Sequence, residues 1–276
     1  MAHGDRLFIP VAQVRPSGLL IYAAPDPPFD RRANKFGGNK TYSGQVSAGA
    51  AKRIRKTINV FLMKSPVQHI VNPVTMRPLH FRLTFATLTI SSKDIIDHRE
   101  AYKKGLEPML LRIRRNVGGL YIWKAELQKR GQIHWHITLN KFVNLTWLRD
   151  EWNNIQSKAG WLEGFRAEFG HSSPNSTDIH AVWKVNRIDL YLAKYLAKND
   201  PKAKINGKVW GCSQELQKAQ YFEFVVDYPE SQWIDEKVRD GEAGEKRLQH
   251  CTIIDTQGAV IVPPNHMAGF NAWKKK

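Results

Sequence analysis

Two short stretches of this chain hold residues whose types and spacing could do chemistry together. One is His134-Trp135-His136, inside "ELQKRGQIHWHITLN" at 126–140, and the other is "YLAKYLAK" at 191–198. Side chains alternate faces along a strand. His134 and His136 therefore leave one face with Thr138 and Asn140, and Trp135, Ile137 and Leu139 leave the other, toward a core. A three-residue hairpin loop, Lys129-Arg130-Gly131 with Gly131 left-handed, would place Glu126 opposite His134 on the imidazole face. Two imidazoles and a carboxylate bind a divalent cation and leave positions open for water or substrate oxygens. A slip of one residue would send Glu126 to the core face, and H-x-H also occurs on sheet surfaces that hold no metal.

Residues four apart on an α-helix share a face. Tyr191 and Tyr195 thus present two hydroxyls to one region, flanked by Lys194 and Lys198. A tyrosine hydroxyl can act as nucleophile in covalent phosphoryl transfer. Its high pKa is a handicap that a nearby cation reduces, and a divalent metal polarises the scissile phosphate. Glu126, His134, His136, the two tyrosines and the two lysines would together cut one DNA strand and hold the 5′ end as a phosphotyrosine. The plainer reading of the same helix is amphipathic, with half-buried tyrosines and solvated lysines.

The composition agrees with a polyanionic partner. Lysine and arginine total 42 against 25 acidic residues, a formal net charge of +17, and the cations cluster in "KRIRK" (52–56), "RIRR" (112–115) and the terminal "KKK". Such an excess favours nucleic acid first and an anionic membrane surface second. The two cysteines, Cys212 and Cys251, lack metal-ligand spacing and suit a reducing compartment. Without a signal-like N-terminus or a long apolar run, the expectation is a soluble intracellular protein with no membrane partner. There is no G-x-x-x-x-G-K-[ST] loop, hence no P-loop ATPase motif.

Several elements must position these residues. Residues 1–42 show no clear period and read as irregular. Residues 43–65 read as a helix capped at Ser43 or Ser47, with Ile54, Ile58, Phe61 and Leu62 as its apolar stripe. Residues 80–92 read as a strand. A helix follows, with Pro108 as a kink or boundary, then the hairpin of "GGLYIWKAEL" and "QIHWHITLN". Next come a helix from about Asn144, a loop-like "EGFRAEFGHSSPNS", a strand at 178–183 and the tyrosine helix. His180 reads as an ordinary strand histidine, and Trp210 and Trp273 as packing residues. This order predicts an α+β fold, an antiparallel sheet with packed helices. The expected organisation is a basic extension with one helix (1–75), a catalytic domain (76–203) and a C-terminal extension (204–276), with "HCTIIDTQGAVIV" as a hairpin packed on the core.

At these residues the sequence resembles the HUH endonucleases, and among them the two-tyrosine rolling-circle replication initiators of small single-stranded DNA phages and plasmids. "FATLTIS" (85–91) resembles the first family motif. Glu126, Gly131 and His134-Trp135-His136 resemble the second, and "YLAKYLAK" the third; the likeness covers about residues 80–200. The resemblance implies an RRM-like five-stranded antiparallel sheet, with Mg²⁺ or Mn²⁺ held by His134, His136 and Glu126. It implies nicking of origin DNA as a single strand, which leaves a 3′ hydroxyl for a host polymerase. Tyr191 and Tyr195 would act alternately, while Lys194 and Lys198 steady the phenolate or the phosphate. Thr87 and Thr89 of the first motif are read as strand residues. A host helicase would be recruited, in a bacterial cytoplasm or, for a eukaryotic host, the nucleus. Two other readings stay open: an HUH transposase or relaxase, and a non-catalytic RRM-like nucleic-acid-binding module.

Overall fold

A computed structural model describes residues 7–26, 44–71, 75–182, 188–197 and 204–275 of the chain. In order along the chain lie β1 (Leu7–Arg15), β2 (Gly18–Asp26), α1 (Ala48–Met63), β3 (Gln68–Val71), β4 (Pro78–Phe81) and β5 (Leu83–Thr89). A short α2 (His98–Glu100) runs through a π-helical stretch (Ala101–Leu106) into α3 (Glu107–Asn116). Then come β6 (Tyr121–Leu127), β7 (Ile133–Leu139), α4 (Leu145–Lys158), α5 (Glu163–Phe169), β8 (Thr177–Val182) and α6 (Ile188–Ala197). The remainder is β9 (Trp210–Cys212), α7 (Gln214–Lys218), β10 (Glu223–Val225), α8 (Tyr228–Arg239), β11 (Gly244–Arg247), β12 (Cys251–Asp255) and, after a 3₁₀ turn, α9 (Met267–Lys275). None of these helices is long and apolar enough to cross a membrane.

The α+β class is as expected. A five-stranded antiparallel sheet, ordered β8-β5-β7-β6-β9, carries helices on it. Its core face is apolar because alternate strand residues are apolar: Ala86 and Leu88 of β5, and Trp135 and Ile137 of β7, are buried with Met109 and Ile113 of α3. Trp152 of α4 meets the Trp135 ring edge-on at 5.9 Å, and its Nε1 donates to the Thr89 carbonyl. The fifth strand, β9, comes from the segment expected to be the C-terminal extension.

Helix α1 starts at Ser47, whose hydroxyl accepts from the Ala50 N–H at 3.1 Å. Its stripe of Ile54, Ile58, Phe61 and Leu62 is buried. At the other end, the Arg82 guanidinium donates to the carbonyls of Leu62 and Ser65, groups that a helix end leaves open. Pro108 marks a boundary, as expected, but inside a continuous helical run. Proline has no N–H to donate and its ring crowds the carbonyl four residues back. The wider π register just before it, in which Glu107 N–H reaches Tyr102 O, accommodates the ring.

Three sequence-based expectations fail. Residues 7–26 are a regular hairpin, β1 with β2, turning through Pro16-Ser17. Pro10 and Pro25 interrupt the alternation that would have announced it. Residues 163–169 are helical; the signal was Gly170, which ends α5 in the left-handed conformation at φ 72°. Finally, β12 pairs with the preceding β11 and with β2, not with residues 259–262. The two chain ends thus build a second five-stranded sheet, β10-β1-β2-β12-β11.

Gly18 joins the terminal segments. Its φ is +124°, and a Cβ there would lie 1.9 Å from the Ile254 carbonyl oxygen. Gly241 also has positive φ, +74°, but its Cβ would meet nothing within 4 Å. Gly241→Ala is therefore expected to cost about 1 kcal/mol of backbone strain. Gly18→Ala adds a clash with the β2–β12 pairing and is expected to cost more than about 2 kcal/mol. Urea midpoints of the two variants measure the difference.

Candidate metal centre and tyrosine helix

The β6–β7 hairpin closes through Lys129-Arg130-Gly131. Gly131 N–H donates to the Gln128 carbonyl at 2.8 Å, Gln128 N–H to the Gln132 carbonyl at 2.8 Å, and Gly131 has φ 86°. This is the register that sets Glu126 opposite His134 and Lys124 opposite His136. All four side chains share the sheet face away from Trp135.

On that face one ligand atom from each of Glu126, His134 and His136 lies within 4.8 Å of the others. The Nε2 atoms of the two imidazoles are 2.9 Å apart, and Glu126 Oε2 is 3.5 Å from His136 Nε2. Nitrogens converging on one point, beside a carboxylate, form a donor set that fits a divalent cation. Thr87 of β5 pairs with His136, and its hydroxyl lies 3.1 Å from His136 Nδ1. It fixes the ring orientation, as a partner behind a metal-ligating histidine does. The Phe85 ring stacks on the other side at 5.4 Å.

The electrostatics follow from packing. Burial works against the Glu126 carboxylate, but hydrogen bonds from His136 and Lys124 outweigh it and hold the group down at about 2. Burial, and then the neighbouring His136, push the His134 imidazole down to about 4 against the pull of Glu126. At neutral pH the face therefore offers an ionised carboxylate and a neutral His134, the forms that ligate metals.

Helix α6 lies across this face. The Tyr195 ring meets His136 edge-on at 5.3 Å and Phe85 at 5.3 Å. Tyr191 stacks on Tyr195 from one turn earlier at 6.5 Å and is 49% exposed. Burial, then the charge of Glu126 and the neighbouring Tyr191, raise the Tyr195 phenol above its ordinary value. Lys194 is exposed on α6. Lys198 lies outside the described residues, as does Trp183 at the end of the expected 178–183 strand. His180 sits on β8 opposite Phe85, exposed and paired with Asp178 at 2.7 Å.

One residue of this face escaped the sequence reading. Lys124 is only 4% exposed. Its Nζ lies 3.1 Å from Glu126 Oε1 and donates to the Tyr195 carbonyl at 3.1 Å. It therefore ties the carboxylate to the tyrosine helix. The available signal was alternation: Lys124 stands two residues before Glu126 in one strand.

Residues 83–200 match the model of the ORF2 family of replication-associated proteins. The match supports a replication initiator. It runs from β5 to just beyond α6, so it takes in the triad and both tyrosines, and it points to DNA as the partner. No curated protein and no solved structure matches the chain.

The His134 shift sets a pH window for the metal-stripped protein. Its folded value of about 4 lies below the ordinary 6.5, so the unfolded chain takes up the proton first. The stabilisation is complete above pH 6.5 and is lost as pH falls toward 4. Glu126, down at about 2 from 4.5, loses its own contribution only below pH 4.5. In EDTA, the urea midpoint is expected to fall between pH 6.5 and 4.5, with a shallower fall in His134→Gln. Equal slopes would contradict the assigned His134 environment.

Proposed function

We propose that the protein is a rolling-circle replication initiator that nicks and rejoins one strand of origin DNA through a tyrosine nucleophile. The observation that carries this reading is the Tyr195 ring lying against His136, with Glu126 and His134 on the same face. A phenol, a cation-type donor set and a basic chain are what cleavage of a phosphodiester without a water nucleophile requires.

Glu126, His134 and His136 would hold the cation. When bound, Mg²⁺ or Mn²⁺ supplies Lewis-acid polarisation of the scissile phosphate. The chain's own residues do the rest. Thr87 orients His136, and Lys124 holds Glu126 beside α6. The Tyr195 oxygen, having lost its proton, attacks phosphorus. A P–O(Tyr) bond forms and the P–O3′ bond breaks. The 3′ oxygen takes a proton and leaves as the 3′ hydroxyl that a polymerase extends. The 5′ end stays on the protein as a phosphodiester, and attack by a 3′ hydroxyl reverses the step. Tyr191, one turn away and more exposed, is placed for a second transfer, with Lys194 and Lys198 near the phosphate.

The test is a covalent adduct on single-stranded oligonucleotides tiling the replicon that encodes the protein, read on a denaturing gel. The adduct is expected with Mg²⁺ or Mn²⁺ and absent in EDTA. Tyr195→Phe should slow its first appearance by at least about 100-fold, Tyr191→Phe by less, and the double variant should form none. An adduct persisting in the double variant overturns the assignment. Separately, Thr87→Val should weaken Mn²⁺ binding about 10-fold in a calorimetric titration with the fold intact; unchanged affinity would remove Thr87 from the site.

A further inference from the structure

A cleft of about 650 Å³ opens at the β9 edge of the catalytic sheet, lined by none of the triad and none of α6. Its walls come from α1, the π-helical stretch, β6, β9 and α7. Arg53, Lys56 and Lys208 line it together with Tyr102, Tyr121 and Trp123, and its described lining contains no carboxylate. Tyr121 and Trp123 alternate with Lys124 and Glu126, so they leave β6 on the face opposite the triad.

We propose that this cleft binds a segment of single-stranded DNA, with bases against the tyrosines and phosphates on the cations. The proposal rests on the replication-initiator reading and adds a second contact region to it. Three features argue for this occupant. The first is composition: aromatic platforms interleaved with cations are how proteins hold single strands, since every base has a face to stack and every link a charge. The volume also falls within the roughly 300–1,000 Å³ of sites for compact ligands.

The second feature is the arrangement. Trp123 is almost fully buried and forms the floor. The Tyr102 ring leans on it at 5.8 Å, and Lys208 Nζ stands 5.0 Å from the Tyr102 ring centre. A base on Tyr102 would thus bring its phosphate to an ammonium group. Across the cleft, α1 contains no acidic residue and exposes Lys52, Arg53 and Arg55. The cleft is therefore one end of a longer basic surface, suited to a polymer rather than to a lone nucleotide. The third feature is the π-helical stretch that carries Tyr102; such turns recur at functional sites.

The experiment is fluorescence anisotropy in EDTA with a labelled oligonucleotide of about 20 residues, so that no cutting is needed. Arg53→Ser/Lys208→Ser changes two exposed side chains and should leave the melting temperature unchanged. It is expected to weaken binding about 10-fold and to reduce the slope of log affinity against log salt by about 1.4, near 0.7 per lost cation. Tyr102→Ala should weaken binding about 10-fold while leaving the salt slope alone. A 5-iododeoxyuridine strand should photocrosslink to Tyr102 or Tyr121. Wild-type affinity and slope in the double variant, crosslinks confined to α6, or a free mononucleotide that saturates the cleft where the oligonucleotide does not, would each overturn the proposal. The two readings fail separately. Binding through the cleft without any tyrosine adduct refutes nicking alone, whereas adduct formation with unaffected variants refutes the cleft alone.

Discussion

One backbone constraint underlies the site: the three-residue turn Lys129-Arg130-Gly131. A strand has a side-chain period of two, so a hairpin shifted by one residue exchanges its faces. The left-handed Gly131 and its bond to the Gln128 carbonyl fix the pairing. From that pairing alone, Glu126 meets His134, Lys124 meets His136, and Trp135 goes to the core. The buried Trp135, locked against Trp152, makes the opposite register costly, since it would exchange apolar and polar side chains between core and surface. The core thus enforces the geometry of the polar face.

Next in importance is Lys124. A buried lysine is expensive unless its charge is met, and here Glu126 and the Tyr195 carbonyl meet it. It links two elements distant in sequence, β6 and α6. α1 packs on α6 from outside, and the β1–β2 turn reaches it as well, Ser17 donating to Asp189 at 3.1 Å. The terminal segments therefore help to seat the tyrosine helix.

Much of the central sheet was legible because its signals are local. The alternation in β7, the Gly131 turn and the four-residue tyrosine spacing each follow from neighbours in sequence. Lys124 was legible in principle through the same alternation, but its role depends on α6, some seventy positions away, and no local pattern announces that. Thr87 shows the same limit: it looks like any β-branched strand residue until β5 is paired with β7 and its hydroxyl meets His136. The β9 edge strand and the joining of the two chain ends into one sheet are likewise non-local. The β1–β2 hairpin was hidden for a different reason, since Pro10 and Pro25 mimic the composition of a loop while sitting in regular pairing.

Charge balance on the triad face also bears on the nucleophile. The carboxylate that draws a cation is the same group that, after burial, most opposes ionisation of Tyr195. Lys124 offsets only one of its oxygens, Oε1; the other, Oε2, faces His136. Two imidazoles with adjoining nitrogens cannot both take protons cheaply, since each charge opposes the other, so the face does not neutralise Glu126 by itself. Any positive charge brought to the open side of Glu126 lowers the cost of a nearby phenolate, because Coulomb coupling across roughly 5 Å in a half-buried setting is on the order of a few kcal/mol. The arrangement ties the readiness of the tyrosine to the state of the carboxylate, and it does so through the pairing that Gly131 sets.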